Sequence, residues 1–269
     1  MTWTTQPRSE FGALCSISVG QGPSIVLIHG VGLRAEAWQR QTEALIQDYE
    51  THAVDMPGHG ESLMPPGTKT LADFADAIAS GIDRRTIVIG HSMGAMIALD
   101  LAHRYPDRVA GVVALNAIYQ RTHKAKMTAE VRYASLHEDR TADPSATLDR
   151  WFAGVTSPER NACERWLRSV NPANYKTAYG VFARGNGPSA EALKGLQCPA
   201  LFMTGAQEPN STPQMSRAMA DLAPKGRAVI VEGAAHMMPM THPLDVNREL
   251  LAFAGRVFAS DVNRQSEKG

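Results

Sequence analysis

Gly90-His91-Ser92-Met93-Gly94 sets a serine between two glycines, directly after the apolar, β-branched run Thr86-Ile87-Val88-Ile89. The residues that follow, Ala95-Met96-Ile97-Ala98-Leu99, have helical character. A G-x-S-x-G pattern also arises by chance, and the flanking elements give it meaning. Strand, sharp turn and helix in succession hold a serine hydroxyl clear of a sheet in a strained backbone conformation. The positive N-terminal end of the helix faces the same turn, where negative charge is tolerated. Ser92 therefore reads as a nucleophile.

A serine hydroxyl is a weak nucleophile unless a base takes its proton. The chain has nine histidines. His236 stands out because Val229-Ile230-Val231 ends in Glu232-Gly233-Ala234-Ala235-His236, a loop of small residues before the last helix. A base of this kind is oriented by a carboxylate. The loop after Ala200 to Thr204 reads Gly205-Ala206-Gln207-Glu208-Pro209-Asn210 and offers Glu208. The loop after Val109 to Leu115 reads Asn116-Ala117-Ile118-Tyr119 and offers no acid, so Glu208 is the expected third member. The oxyanion of an acyl transfer needs two backbone N–H donors. Met93, next to the nucleophile, supplies one; Val31, in His29-Gly30-Val31-Gly32, is expected to supply the other, its glycines allowing close approach.

These groups need elements to position them. Ala13 to Val19 alternates and reads as an early strand, turned by Gly20-Gln21-Gly22-Pro23. Ser24 to Ile28, Thr51 to Val54, Val109 to Leu115, Ala200 to Thr204 and Ala228 to Val231 read as further strands. Helical spacing marks Ala35 to Gln47, Leu71 to Ile82, the stretch from the serine turn to about Tyr105, Pro213 to Leu222 and Pro243 to Phe258. Strands alternating with helices predict an α/β fold whose parallel sheet is covered on both faces. Reacting groups then gather at the carboxyl ends of the strands, where each motif above lies. Residues 118–197 lack a clear buried strand and carry Trp151, Phe152, Trp166, Tyr175, Tyr179 and Phe182. A stretch this long between two strands is too large for a simple crossover. We read 118–197 as a helical cap inserted after the sixth strand, with 1–117 and 198–269 forming the core domain.

At 269 residues the chain is long enough for one large domain with an insertion. Lys+Arg 27 against Asp+Glu 27 gives zero formal charge, so neither nucleic acid nor an anionic membrane is an expected partner. The polar start Met1 to Phe11 lacks the apolar core of a signal peptide, and no run of about 20 apolar residues is present. Cys15, Cys163 and Cys198 are few, widely spaced and without metal-ligand pattern, which fits free thiols in a reducing cytoplasm. A homodimer is left open.

With His29-Gly30-Val31-Gly32, Asp55-Met56-Pro57-Gly58-His59-Gly60-Glu61-Ser62, Gly90-His91-Ser92-Met93-Gly94, the late acid loop and His236 in this order, the chain resembles the α/β-hydrolase fold family over nearly its whole length. The resemblance implies a mostly parallel sheet flanked by helices and a serine esterase or lactonase that needs no metal or organic cofactor. Dehalogenases of the family use Asp at the nucleophile position, which Ser92 does not match. The family's usual acid at the Glu208 position is Asp, with Glu in other members, and Asp55 resembles a structural turn residue. Carbon–carbon bond hydrolases of the family are the alternative within enzymes. Many of them carry Asn where this chain has His91. A ligand-binding member without turnover is the alternative outside enzymes.

For the small-molecule substrate, Arg34 follows the oxyanion loop, and Arg121, His123, Lys124 and Lys126 open the helical segment. Such groups suit a substrate carboxylate, as in enzymes that degrade acidic ring-cleavage products, and equally suit a solvated face. Met93, Met237, Met238 and Met240 suit an adaptable pocket wall or plain core packing. Arg34, Trp151, Tyr119 and Met237 are the expected substrate contacts.

Overall fold

The runs expected as strands all fall in one eight-stranded sheet in the computed structural model, which describes residues 5–266; the run Ala228 to Val231, expected to be buried, lies at the sheet edge and is only half-buried. The first four residues of the polar start lie outside the described part. The strands are β1 (Ser9–Phe11), β2 (Leu14–Val19), β3 (Ser24–Ile28), β4 (Glu50–Val54), β5 (Thr86–His91), β6 (Val109–Leu115), β7 (Ala200–Gly205) and β8 (Gly226–Val231). Their order across the sheet is β1-β2-β4-β3-β5-β6-β7-β8. The first two run antiparallel, as a hairpin against β4, and the other six are parallel. β1 has no counterpart among the strands expected from sequence. Three residues are too short to show a period of two, and the hairpin depends on Gly12 at φ +58.

Every residue of β3, β5, β6 and β7 is buried, which is why these strands read as continuous apolar runs. Within β3, Ile25 and Leu27 join one core layer with Trp38, Leu45, Leu250 and Phe253. Val26 and Ile28 join the opposite layer with Phe74, Ile78, Ile97 and Leu101. The first layer lies against α1 (Gln39–Leu45) and the long terminal helix Pro243–Ser266. The second lies against α2 (Leu71–Ala79) and α3 (Met93–Arg104). The helix expected at Ala35 to Gln47 begins as a 3-10 turn over Ala35–Trp38.

Between β6 and β7 the described chain forms α4 (His123–Ala134), α5 (Ser145–Trp151), α6 (Pro158–Ser169), α7 (Pro172–Arg184) and α8 (Ala190–Lys194), with no strand among them. Local chemistry starts two of these helices sharply. Ser157 and Asn171 accept N–H bonds at the N-caps of α6 and α7, each followed by a proline at the first helical position. Leu148, Phe152, Trp166 and Tyr175 belong to the same apolar cluster as Val26 and Ile28. α9 (Pro213–Leu222), α10 (Met238–Thr241) and α11 (Pro243–Ser266) complete the chain. No described helix is long and apolar enough to cross a membrane, and the three cysteines form no disulfide among the described residues.

Candidate active site

The β5–α3 turn puts Ser92 at φ 57, ψ −118, a left-handed conformation that costs a non-glycine residue about 1–3 kcal/mol. The packing around the turn enforces it. A Cβ on Gly90 would lie 2.0 Å from the Gly94 carbonyl oxygen, and one on Gly94 would lie 2.1 Å from the Ile28 carbonyl oxygen. Strand, turn and helix meet at backbone distance, so only glycine fits on either side of the serine. The Ser92 N–H donates to the Leu115 carbonyl at 2.9 Å and ties the turn to the end of β6.

Glu208 and His236 approach from the ends of β7 and β8. His236 Nδ1 lies 2.6 Å from Glu208 Oε2, and the Glu208 side chain is fully buried. The other carboxylate oxygen, Oε1, accepts from the backbone N–H groups of Asn210 at 2.7 Å and Ser211 at 3.3 Å. Burial alone would raise the Glu208 pKa. The adjacent imidazole and these donors outweigh it and hold the carboxyl below its ordinary value. The His236 carbonyl is fixed as well, since His91 Nε2 donates to it at 2.8 Å and Asn116 Nδ2 at 2.7 Å. Asn116, at φ 52, also accepts the Gly205 N–H through Oδ1 at 3.2 Å. One side chain thereby joins the start of the Glu208 loop to the His236 loop. His91 is buried and has its pKa pushed down to about 3 by burial and by neighbouring His236, so it stays a neutral donor. The ring of Trp151, at the end of α5, stacks on the His236 ring with centroids 5.4 Å apart.

Asn116 and His91 were not among the expected site residues. The available signal for Asn116 was its place in the loop that lacks an acid, and for His91 its adjacency to Ser92.

The oxyanion loop is shaped by His29, whose Nδ1 donates to the Gly30 carbonyl at 2.8 Å while its Nε2 accepts the Met56 N–H at 3.1 Å. Val31 borders the cavity described below, and its N–H has no hydrogen-bond partner among the described residues. Met93 is the first residue of α3, one of those whose N–H groups find no acceptor within a helix. Asp55 has a packing role, as expected. Its carboxylate takes the Ala35 and Glu61 N–H groups and pairs with Arg8 at 2.7 Å.

Ser92, Val31 and His236 line one cavity of about 670 Å³, ample for a small molecule. Asn116, Trp151, Tyr175, Tyr179 and Met215 share its wall. Four cationic side chains, Arg121, Lys124, Arg132 and Arg150, border it, and no carboxylate among the described residues does. Of the expected substrate contacts, only Trp151 is there. Arg34 turns away to pair with Glu36 at 2.8 Å, because that buried acid two residues on needs cations. Tyr119 is buried beside the cavity, its hydroxyl accepting from Gln120 at 3.1 Å. Met237 packs into the core under Trp151, whose carbonyl accepts its N–H. In the basic run, Arg121 donates to the carbonyls of Phe182, Ala183 and Gly185 at the end of α7, and Lys124 reaches the cavity; His123 and Lys126 do not.

Among the described residues no cluster of His, Cys, Asp and Glu has the makings of a metal site. The family model described as the alpha/beta hydrolase family matches residues 25–249. Over 241 residues the chain is 38% identical to the (E)-2-((N-methylformamido)methylene)succinate hydrolase of Acinetobacter baylyi, covering 87% of this chain and 91% of that protein. It is 28% identical to a pimeloyl-[acyl-carrier protein] methyl ester esterase of Yersinia pseudotuberculosis, covering 87% and 95%. The fold is similar to that of the enol-lactonase from Burkholderia xenovorans, with TM-score 0.81 at 21% identity over 93% of this chain and 100% of that one.

Proposed function

The chain belongs to the alpha/beta hydrolase family and is a hydrolase, and we propose that it cleaves an ester or lactone of a small organic molecule through an acyl-enzyme on Ser92. The observation that carries this reading is the 2.6 Å contact between Glu208 and His236, a histidine that borders the same cavity as Ser92. Glu208 holds the imidazole with Nδ1 protonated, which leaves Nε2 as the base for the Ser92 proton. Ser92 Oγ attacks the acyl carbon, and the N–H groups of Met93 and Val31 take the oxyanion, each donor being worth about 3–4 kcal/mol in a comparable site. His236 then gives its proton to the leaving oxygen and activates water to release the acid.

A second reading has its own support. The relative from Acinetobacter baylyi is named for hydrolysis of a substituted methylene succinate, and this chain is 38% identical to it. In that reading Ser92 attacks the acyl carbon of the N-acyl group, the amide C–N bond breaks, His236 gives its proton to the departing nitrogen, and water releases the acid. A panel of short acyl esters, lactones and amidomethylene succinates separates the two. Under either reading Ser92→Ala removes turnover, by roughly 10⁵-fold or more, while the far-ultraviolet circular dichroism stays that of the parent. Turnover retained in that variant would refute a serine nucleophile.

A further inference from the structure

The helical segment brings to the cavity wall three side chains with donors that have no acceptor among the described residues. Arg132 on α4 uses one nitrogen to donate to the Tyr175 hydroxyl at 3.1 Å, and its Nε is buried with no partner. Thr147 on α5 is only 2% exposed, and its Oγ1 is buried with no partner. Arg150, one turn further along α5 and so on the same face as Thr147, makes no hydrogen bond or ion pair among the described residues. All three border the cavity that holds Ser92. The two guanidiniums are close enough to repel, and that repulsion joins burial in lowering the Arg150 pKa.

Buried donors are almost always satisfied, and leaving one open is costly. Two like charges held together cost more, and the charge of Glu208 offsets this for Arg150 only in part, since the Arg150 pKa still lies below its ordinary value. Buried Arg121 nearby has three carbonyl acceptors. Arg8 is held by Glu36 and Asp55. An acceptor from outside resolves all three deficits at once, and a carboxylate suits two planar forks and a hydroxyl.

We propose that Arg132, Thr147 and Arg150 form a recognition site for a substrate carboxylate remote from the bond that is cleaved. The proposal rests on Ser92 being the reacting group only in that it takes the occupant for a substrate. The carboxylate is held at the roof while the scissile group lies at Ser92. The cavity therefore selects short acyl compounds that end in a free acid over their neutral counterparts.

Two measurements test this. Calorimetric titration of Ser92→Ala with succinate reads binding without any chemistry. Saturable binding is expected, weakened roughly 10- to 100-fold by adding Arg150→Gln or Arg132→Gln. Proton release from monoethyl succinate and ethyl butyrate then reads selectivity. The ratio of kcat/KM for the anionic over the neutral ester is expected to fall by a similar factor in each variant. Arg150→Lys, which keeps the charge and loses the fork, should retain part of that ratio. Absence of succinate binding, or a ratio unchanged in Arg132→Gln and Arg150→Gln, overturns the proposal. A hydrolase that keeps turning over without Ser92 but still binds succinate through Arg150 would refute the serine reading alone.

Discussion

At the scale of single residues, the arrangement depends on how Glu208 is dressed. Its two oxygens have separate tasks, one toward His236 Nδ1 and the other toward the N–H groups of Asn210 and Ser211. Glu208→Gln keeps the shape and presents either an amide that cannot hold the imidazole in the needed tautomer or an N–H facing an N–H. We expect kcat to fall by roughly 10²- to 10⁴-fold with little change in KM. A loss under about threefold in steady-state ester hydrolysis would mean that Glu208 is only a buried structural acid. The extra methylene of glutamate relative to aspartate is absorbed by the loop, since Glu208 makes the short contact without an unpaired oxygen.

At the scale of elements, the steepest requirement is at the β5–α3 turn. Gly94→Ala would drive a Cβ to 2.1 Å from the Ile28 carbonyl, a backbone atom that cannot swing aside. A cost of several kcal/mol follows, beyond the approximately 1–3 kcal/mol typical of overpacking. Urea unfolding should show the midpoint shifted strongly down, or no folded protein at all; a midpoint within a few tenths molar of the parent would contradict the contact. This is also the scale at which sequence and structure agree best. β3 and β6 run over Ser24–Ile28 and Val109–Leu115, as their apolar runs predict, because a strand buried on both faces advertises its own limits. Ser92, Glu208 and His236 were legible for a related reason: each follows a recognisable strand. Arg132, Thr147 and Arg150 were not, because their meeting depends on how α4 and α5 pack. Only the spacing of Thr147 and Arg150 on one helical face hints at it. Arg34 misled because its neighbour in sequence, Glu36, is its partner in space.

At the scale of the whole molecule, buried histidines set the response to acid. His59 and His91 both have pKa values pushed down to about 3, His59 by burial and the nearby His29, His91 by burial and His236. The unfolded chain takes up protons at these rings from about pH 6.5 downward, while the folded chain refuses them until near pH 3. Their contribution to stability is therefore complete above about pH 6.5 and is lost as the pH falls toward 3. Glu208, Asp55 and Glu36, held below the ordinary carboxylate value, add a further loss only below about pH 4. Melting by calorimetry should show Tm declining already between pH 6.5 and 5, before any carboxylate titrates. A Tm flat down to pH 4.5 would mean that these rings are protonated in the fold.

The stacking of Trp151 on His236 gives the base a built-in optical probe. An imidazolium against an indole face is a cation–π contact and an efficient quencher of tryptophan emission, whereas a neutral imidazole is a poor one. Following fluorescence against pH, with Trp151→Phe as the blank for the other indoles, reads the protonation of the proposed general base in the resting protein. It also allows occupancy of the cavity to be followed without any chromogenic substrate.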